Sequence, residues 1–325
     1  MKKARKWILR IFIALLLTVL IILSGFALGE RIMFFSFYAN SERYEAIPGL
    51  WDGYVPQGYC LVDGEDYRLA CGYMKNGEAS RIYIMPNDGS DAVLVEMKTA
   101  DGKDYTGHTG GIAVMGDYVY VTAKTGCDVF SLEDINDGDG TACVKDTVNT
   151  INDPAYCYIE DGVLYAGSFY RAGNYETPEE HRFTTPAGDE NMAIISAYKL
   201  DPISGKAYSE TPDLVLSTVG FAQGMAFIDG EKIAIATSYG LSKSHVYVYD
   251  TTKAVADKNG FKVNDVMVPL LYLDSECLVD DIVAPPMAEQ IIYEDGVIYI
   301  MNESASMKYL FGKLTSGSYV YGYKY

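Results

Sequence analysis

Histidine is nearly absent from this chain. Three occur in 325 residues (His108, His181 and His245). No Cys-x-x-Cys pair and no Cys/His cluster is present, so a zinc site lacks its usual ligands. Positive charge is also scarce after the first thirty residues. Residues 1–29 carry five basic groups (Lys2, Lys3, Arg5, Lys6, Arg10) and no acid, which leaves 21 basic against 44 acidic residues, a net charge of −23. Such a surface repels phosphate backbones and anionic lipid headgroups and argues against a nucleic-acid partner. There is no nucleophile elbow, P-loop or dinucleotide fingerprint. Helix-type periodicity is rare after residue 45, while tyrosine is abundant (28 residues), which favours strands.

The N-terminus differs in kind from the rest. Behind the basic cluster, Ile11–Leu28 is apolar except for Thr18, Ser24 and Gly25. Eighteen residues at 1.5 Å rise nearly cross a hydrocarbon core, and Trp7–Leu9 can extend the run. The charge bias predicts a cytoplasmic N-terminus and an extracytoplasmic remainder, anchored in the cell membrane by a single pass. A signal peptide cleaved near Ala27-Leu28-Gly29 is the alternative, but the apolar run is longer than most signals use. Six cysteines (Cys60, Cys71, Cys127, Cys143, Cys157, Cys277) suit an oxidising compartment and leave bridges or buried thiols open.

One short pattern then recurs five times: QGYCLVDG (57–64), GGIAVMGD (110–117), AYCYIEDG (155–162), QGMAFIDG (223–230) and EQIIYEDG (289–296). Each is an apolar run closed by Asp-Gly or Gly-Asp and followed by a second apolar run, a strong hairpin signal. Third strands are expected at 80–85, 127–132, 193–200, 245–250 and 307–311. Fourth strands are expected at 92–97, 142–148, 213–218 and 268–274. The closing strand of the last unit falls at 318–325 or within 40–55. One supersecondary unit used five times predicts an all-β fold, a five-bladed β-propeller, with six blades as the alternative. The organisation expected is a basic stub and transmembrane segment (1–30), a juxtamembrane stretch (31–54) and a propeller domain (55–325). Polar insertions at 171–192 and 251–265 mark functional or mobile surface.

Aligned repeats place Gln57, Gly110, Ala155, Gln223 and Glu289 at equivalent points, with His108 and Asp153 one or two residues upstream. Innermost strands converge at one mouth of the axial channel, so these residues form a candidate polar ring. Gln57, His108, Gln223, Tyr239 and Glu289 are the candidate ligand-binding residues. Asp153 and Glu289, from different blades, are candidate catalytic carboxylates, with Asp52 just before the first repeat. Glu289 with Asn302 and Glu303 offers oxygen ligands for Ca²⁺, the one cofactor the sequence leaves open. Asn302-Glu303-Ser304 also matches the N-glycosylation pattern. The Asp-rich run 134–140 has the wrong register for a calcium loop and reads as a hairpin tip.

The motifs HTGGIAV (108–114), ATSYG (236–240) and PPMAEQI (285–291) resemble those of uncharacterised secreted or membrane-anchored bacterial β-propeller proteins. The resemblance spans residues 55–325 and implies the propeller fold and an extracytoplasmic location, but no activity. More distantly, the hairpins are similar to those of NHL and SMP-30/lactonase-like propellers. That family's axial metal set is matched only by Glu289 and Asn302. The expected function is a membrane-tethered propeller that binds an envelope glycan, peptide or protein at its axial mouth. The alternatives are a hydrolase, as a glycosidase or a Ca²⁺-assisted lactonase or esterase, and a rigid scaffold.

Overall fold

A computed structural model describes residues 2–315 and 317–325. Five four-stranded antiparallel blades form the propeller. Their innermost strands are Tyr54–Leu61, Ile112–Met115, Pro154–Glu160, Ala222–Ile228 and Ala288–Glu294, and each touches its neighbours so that the first meets the fifth. The Asp-Gly hairpins follow from backbone preference. Asp161, Asp229 and Asp295 take φ of 48°, 51° and 50°, and the glycines after them 73°, 73° and 80°. Asp tolerates this left-handed region better than most residues, and Gly enters it freely. Large side chains fill the wedges between blades. Leu69 and Ile82 of the first blade meet Ile112, Val119, Val121 and Phe130 of the second.

The ring closes with a strand from the other end of the chain. Ser41–Ala46 pairs antiparallel with Tyr319–Lys324 as the outer strand of blade five. The propeller's strands therefore begin inside the stretch read as juxtamembrane. Residues 307–311, expected to be a strand, are turn and short helix, and the third strand of blade five is Tyr319–Lys324.

Two outer strands also differ from expectation, for the same reason. Leu278–Ala284 completes blade four, while Leu270–Tyr272 runs parallel to Leu214–Thr218 on the edge of blade three. Likewise Asp146–Asn149 completes blade two, and Thr141–Cys143 adds to blade one. Each extra strand covers an edge that would otherwise present unpaired backbone groups. The two long insertions pack together there, with His181 and Phe183 against Phe261. The Asp-rich run is no hairpin tip: Leu132–Asn136 is a short helix, and Asp134 pairs with Lys145 at 2.7 Å.

The helix Lys2–Met33 precedes the propeller, and its portion Arg5–Met33 is long and apolar enough to cross a membrane. The chain then turns into Phe35–Ala39, where Phe34 and Phe37 are 4% and 2% exposed against blades four and five. Burying two such rings stabilises by about 3–6 kcal/mol. A fragment starting at Glu30 should therefore melt like the full chain, whereas one starting at Ser41 should lose that amount in chemical denaturation. Equal stability of the two fragments would contradict this packing.

All six cysteines are free thiols, five of them buried and Cys143 partly exposed. Burial pushes the Cys71 thiol up to about 12 and raises Cys60 and Cys157 as well. Native protein at pH 8 should thus react with a thiol reagent at Cys143 alone, against six sites after unfolding. Rapid modification of Cys60 or Cys71 in the native state would refute this.

Candidate functional site

The residue opening each repeat owes its orientation to a backbone irregularity. In blades one, three and four the pairing skips one residue of the inner strand, Gln57, Ala155 and Gln223, and in blade five it skips Glu289 and Gln290. A bulge leaves the extra residue out of the ladder and redirects its side chain. The repeated position is thus a set of bulges at one end of the inner strands, and in three of them the freed side chain is polar.

The next position down closes the axis. Gly58, Gly111 and Gly224 occupy it in three blades, where an added Cβ would lie 2.7 Å from Ile112 N, 2.6 Å from Cys157 N and 2.6 Å from Gln290 Cα. No side chain fits, and the strands approach backbone to backbone. Gln290 fills the remaining space, fully buried. Its Oε1 accepts from Ile112 N at 2.9 Å and Tyr59 N at 3.2 Å. Its Nε2 donates to Ile112 O at 2.8 Å and Cys157 O at 3.0 Å. One amide joins the inner strands of blades one, two and three to blade five, and the mouth above it is blind.

Above this floor two carboxyl groups meet. Glu289 is 1% exposed and Glu303 8%. The two are hydrogen-bonded to each other, and Glu303 also accepts from Tyr309. Gln57 Nε2 donates to Glu303 Oε2 at 2.9 Å, and Gln223 Nε2 reaches Glu289 Oε1 at 3.4 Å. Desolvation, then the neighbouring Glu303 charge, holds the Glu289 pKa well above the carboxylate range. Desolvation also raises Glu303, to about 7, with the charge of Lys308 opposing it. Two buried carboxyls in contact cannot both ionise cheaply, so they share a proton.

Aromatic side chains wall the mouth. Lys308 Nζ donates to Tyr73 Oη at 2.5 Å and lies 4.8 Å from the Tyr309 ring centre. His108 packs on Tyr73 with ring centres 4.7 Å apart, and desolvation followed by the Lys308 charge lowers its pKa. From blades three and four come Phe169, Tyr175, Phe221 and Tyr239, in a chain of ring contacts at 5.4–6.4 Å. Arg171 stands 4.2 Å over the Tyr239 ring. Phe221 is 42% exposed and has a φ of +63°, a costly conformation for a bulky residue.

Gln57, Gln223 and Glu289 thus lie in one network, with His108 on its rim and Tyr239 in the opposite aromatic wall. Asp153 is exposed and faces His181, and Asp52 is an exposed turn residue. Asn302 is buried and its Oδ1 accepts from Ser304 Oγ at 2.7 Å, so the glycosylation triplet has no room for a glycan. Among the described residues no group of three or more His, Cys, Asp and Glu side chains is placed to hold a metal ion. Sequence reasoning missed Gln290, Tyr73 and Lys308. It reached Glu303 as a Ca²⁺ ligand beside Glu289 and Asn302, and not as a carboxyl that shares a proton. A signal existed in the register: Pro56 opposes Gly72, Pro154 opposes Ser168 and Ala288 opposes Asn302, which makes Tyr73, Phe169 and Glu303 equivalent ends of second strands.

No family model and no curated protein sequence matches the chain. Solved structures similar to it include a nidogen/laminin complex, at 11% identity over 77% of this chain and 73% of that one, with a TM-score of 0.41. The PQQ-bound aldose sugar dehydrogenase of Streptomyces coelicolor gives 11% identity over 86% and 95%, with a TM-score of 0.43. Glutaminyl cyclase of Myxococcus xanthus gives 11% over 81% and 91%, with a TM-score of 0.40. The likeness is distant and assigns no ligand.

Proposed function

We propose that this protein is an extracytoplasmic, membrane-tethered propeller that binds a hydroxyl- or amide-rich envelope ligand, a glycan or a peptide, at its axial mouth. The observation that carries this reading is the proton-sharing Glu289–Glu303 pair, flanked by Gln57 and Gln223 and walled by exposed aromatic rings. Amides and a carboxyl pair offer donors and acceptors side by side, and aromatic faces cover the apolar surfaces of sugar rings or side chains. The apolar Arg5–Met33 helix behind a basic cluster supports the tether and the orientation.

The probe is a set of soluble disaccharide-peptides cut from peptidoglycan, titrated into full-length protein in detergent micelles. Binding should weaken at least tenfold when Gln57 and Gln223 are both changed to alanine. Unchanged binding by that double variant, or none by the unaltered protein, would sink the reading for this ligand class.

The hydrolase alternative takes a narrower form. Carboxyls of a glycosidase stand about 5–5.5 or 6.5–9.5 Å apart to flank a sugar. Glu289 and Glu303 touch, and Asp153 faces His181. A pair sharing one proton suits acid–base work instead, since it can give and take a proton near neutrality. A Ca²⁺-assisted variant would require both carboxyls to ionise around the cation in place of their shared proton.

A further inference from the structure

Where the helix meets the propeller, a cavity of about 1100 Å³ opens beside the mouth. One wall is a stripe on the helix, including Gly25, Phe26, Gly29 and Met33, and the other is the crossing from blade four to blade five at Pro285–Met287. A Cβ at Gly25 or Gly29 would meet nothing within 4 Å, so these glycines leave the space open. The far end reaches Asn302, Lys308 and Tyr309, the last two being members of the carboxyl-bearing mouth. The cavity therefore runs from an apolar helix to Lys308 and Tyr309, the two residues that flank Glu303.

Membrane geometry locates it. Twenty residues rise about 30 Å, the thickness of the hydrocarbon core, so a helix with Arg10 at the inner boundary brings Glu30 to the outer one. The cavity then straddles the outer boundary, with Gly25 about 7.5 Å inside the hydrocarbon and Met33 at headgroup level. The propeller's rim on this side fits such a position. Leu241 is 74% exposed, Leu310 47% and Leu314 42%, and Trp51, 75% exposed, lies 3.6 Å from Lys313 Nζ. Lys243 and Lys308 line the cavity against one acid, Glu30, although the chain beyond residue 29 is strongly acidic. Apolar side chains mixed with lysines are the composition of a surface that rests among anionic headgroups.

We infer that this cavity admits a phosphate-bearing lipid from the outer leaflet, with its tail against Gly25–Met33, its phosphate at Lys243 and Lys308, and the rest of its head at the acid pair. The inference rests on the proposed tether and narrows the envelope ligand to one delivered by the membrane. The test uses full-length protein in phosphatidylcholine nanodiscs doped with phosphatidylglycerol that carries a photoreactive diazirine on its acyl chain. Crosslinks should concentrate on Phe26, Met33 and Met287, and Gly29→Phe should cut them at least fivefold while those on the opposite helix face persist. Lys243→Gln should reduce them severalfold, and a thermal melt confirms that both variants stay folded. Should Gly29→Phe fail to fold, Gly25→Leu fills the same space. Crosslinks spread evenly round the helix and insensitive to these changes would mean ordinary annular lipid and overturn the inference. Binding of the soluble disaccharide-peptides is scored separately. Its persistence without cavity crosslinks would leave the mouth a site for soluble ligands, and its loss with cavity crosslinks intact would remove the ligand class and keep the lipid.

Discussion

Gln290→Ala should destabilise the propeller by about 3–5 kcal/mol, the largest single effect expected of any axial residue. The change strands Tyr59 N, Ile112 N, Ile112 O and Cys157 O in a closed interior, and a buried polar group left unpaired costs about 1–3 kcal/mol. Water entering the vacated space offsets part of the sum. For a domain of this size the loss corresponds to a fall in Tm of about 10 °C. The control is Gln223→Ala, whose half-buried amide makes one long contact of 3.4 Å, and which should cost under about 1 kcal/mol. Differential scanning calorimetry of the three proteins decides the matter. Equal Tm values for the two variants would mean that Gln290 does not bolt the axis.

The second large effect concerns pH. Glu303 and Glu289 both have raised folded-state pKa values, so the folded state holds protons that the unfolded chain has released. Stability from this source is full below the ordinary carboxylate range near 4.5 and is lost as pH rises through about 7. Glu303→Gln removes one of the pair's two ionisable carboxyls and keeps an oxygen to accept from Gln57. The variant should match the unaltered protein near pH 5 and exceed it at pH 8 by about 2 kcal/mol. Its advantage should grow across pH 5–8, a slope that a simple packing change would not produce. Parallel stability curves for the two proteins over that range would exclude a buried proton on this pair.

The five hairpins were legible because turn chemistry and apolar runs are local. Asp-Gly pairs announce their own backbone, and the inner and second strands stand where the pattern puts them. Outer strands were harder to place. Leu278–Ala284 alternates weakly and carries two adjacent acids, Asp280 and Asp281, because its first half is exposed on both faces at the outer edge of the blade. Val268–Asp274 is more apolar because it is covered, and so looked like the better fourth strand. The closing strand Ser41–Ala46 has no apolar pattern at all, and only its long-range pairing defines it.

The site was legible in part for a similar reason. Repetition exposed Gln57, Gln223 and Glu289 at one position, and that position proved to be a bulge. Gln290 broke the same repetition by standing where three other repeats have glycine, and that departure was the available sign of the axial bolt. The sequence brought Glu303 to Glu289 as a cation ligand, but their direct contact could not be read from spacing. It depends on the loop after residue 302 folding back over the mouth, which brings Lys308 and Tyr309 with it.

The most direct test of the central claim, that the axial mouth is built on a proton shared by Glu289 and Glu303, is carbon NMR of protein labelled at the glutamate side-chain carboxyls. Spectra would be followed from pH 4 to 9 in the unaltered chain and in Glu289→Gln. The account predicts two carboxyl signals that titrate well above the rest, one near pH 7 and one higher, and both altered by the substitution. A set of glutamates all titrating near pH 4.5 would contradict it.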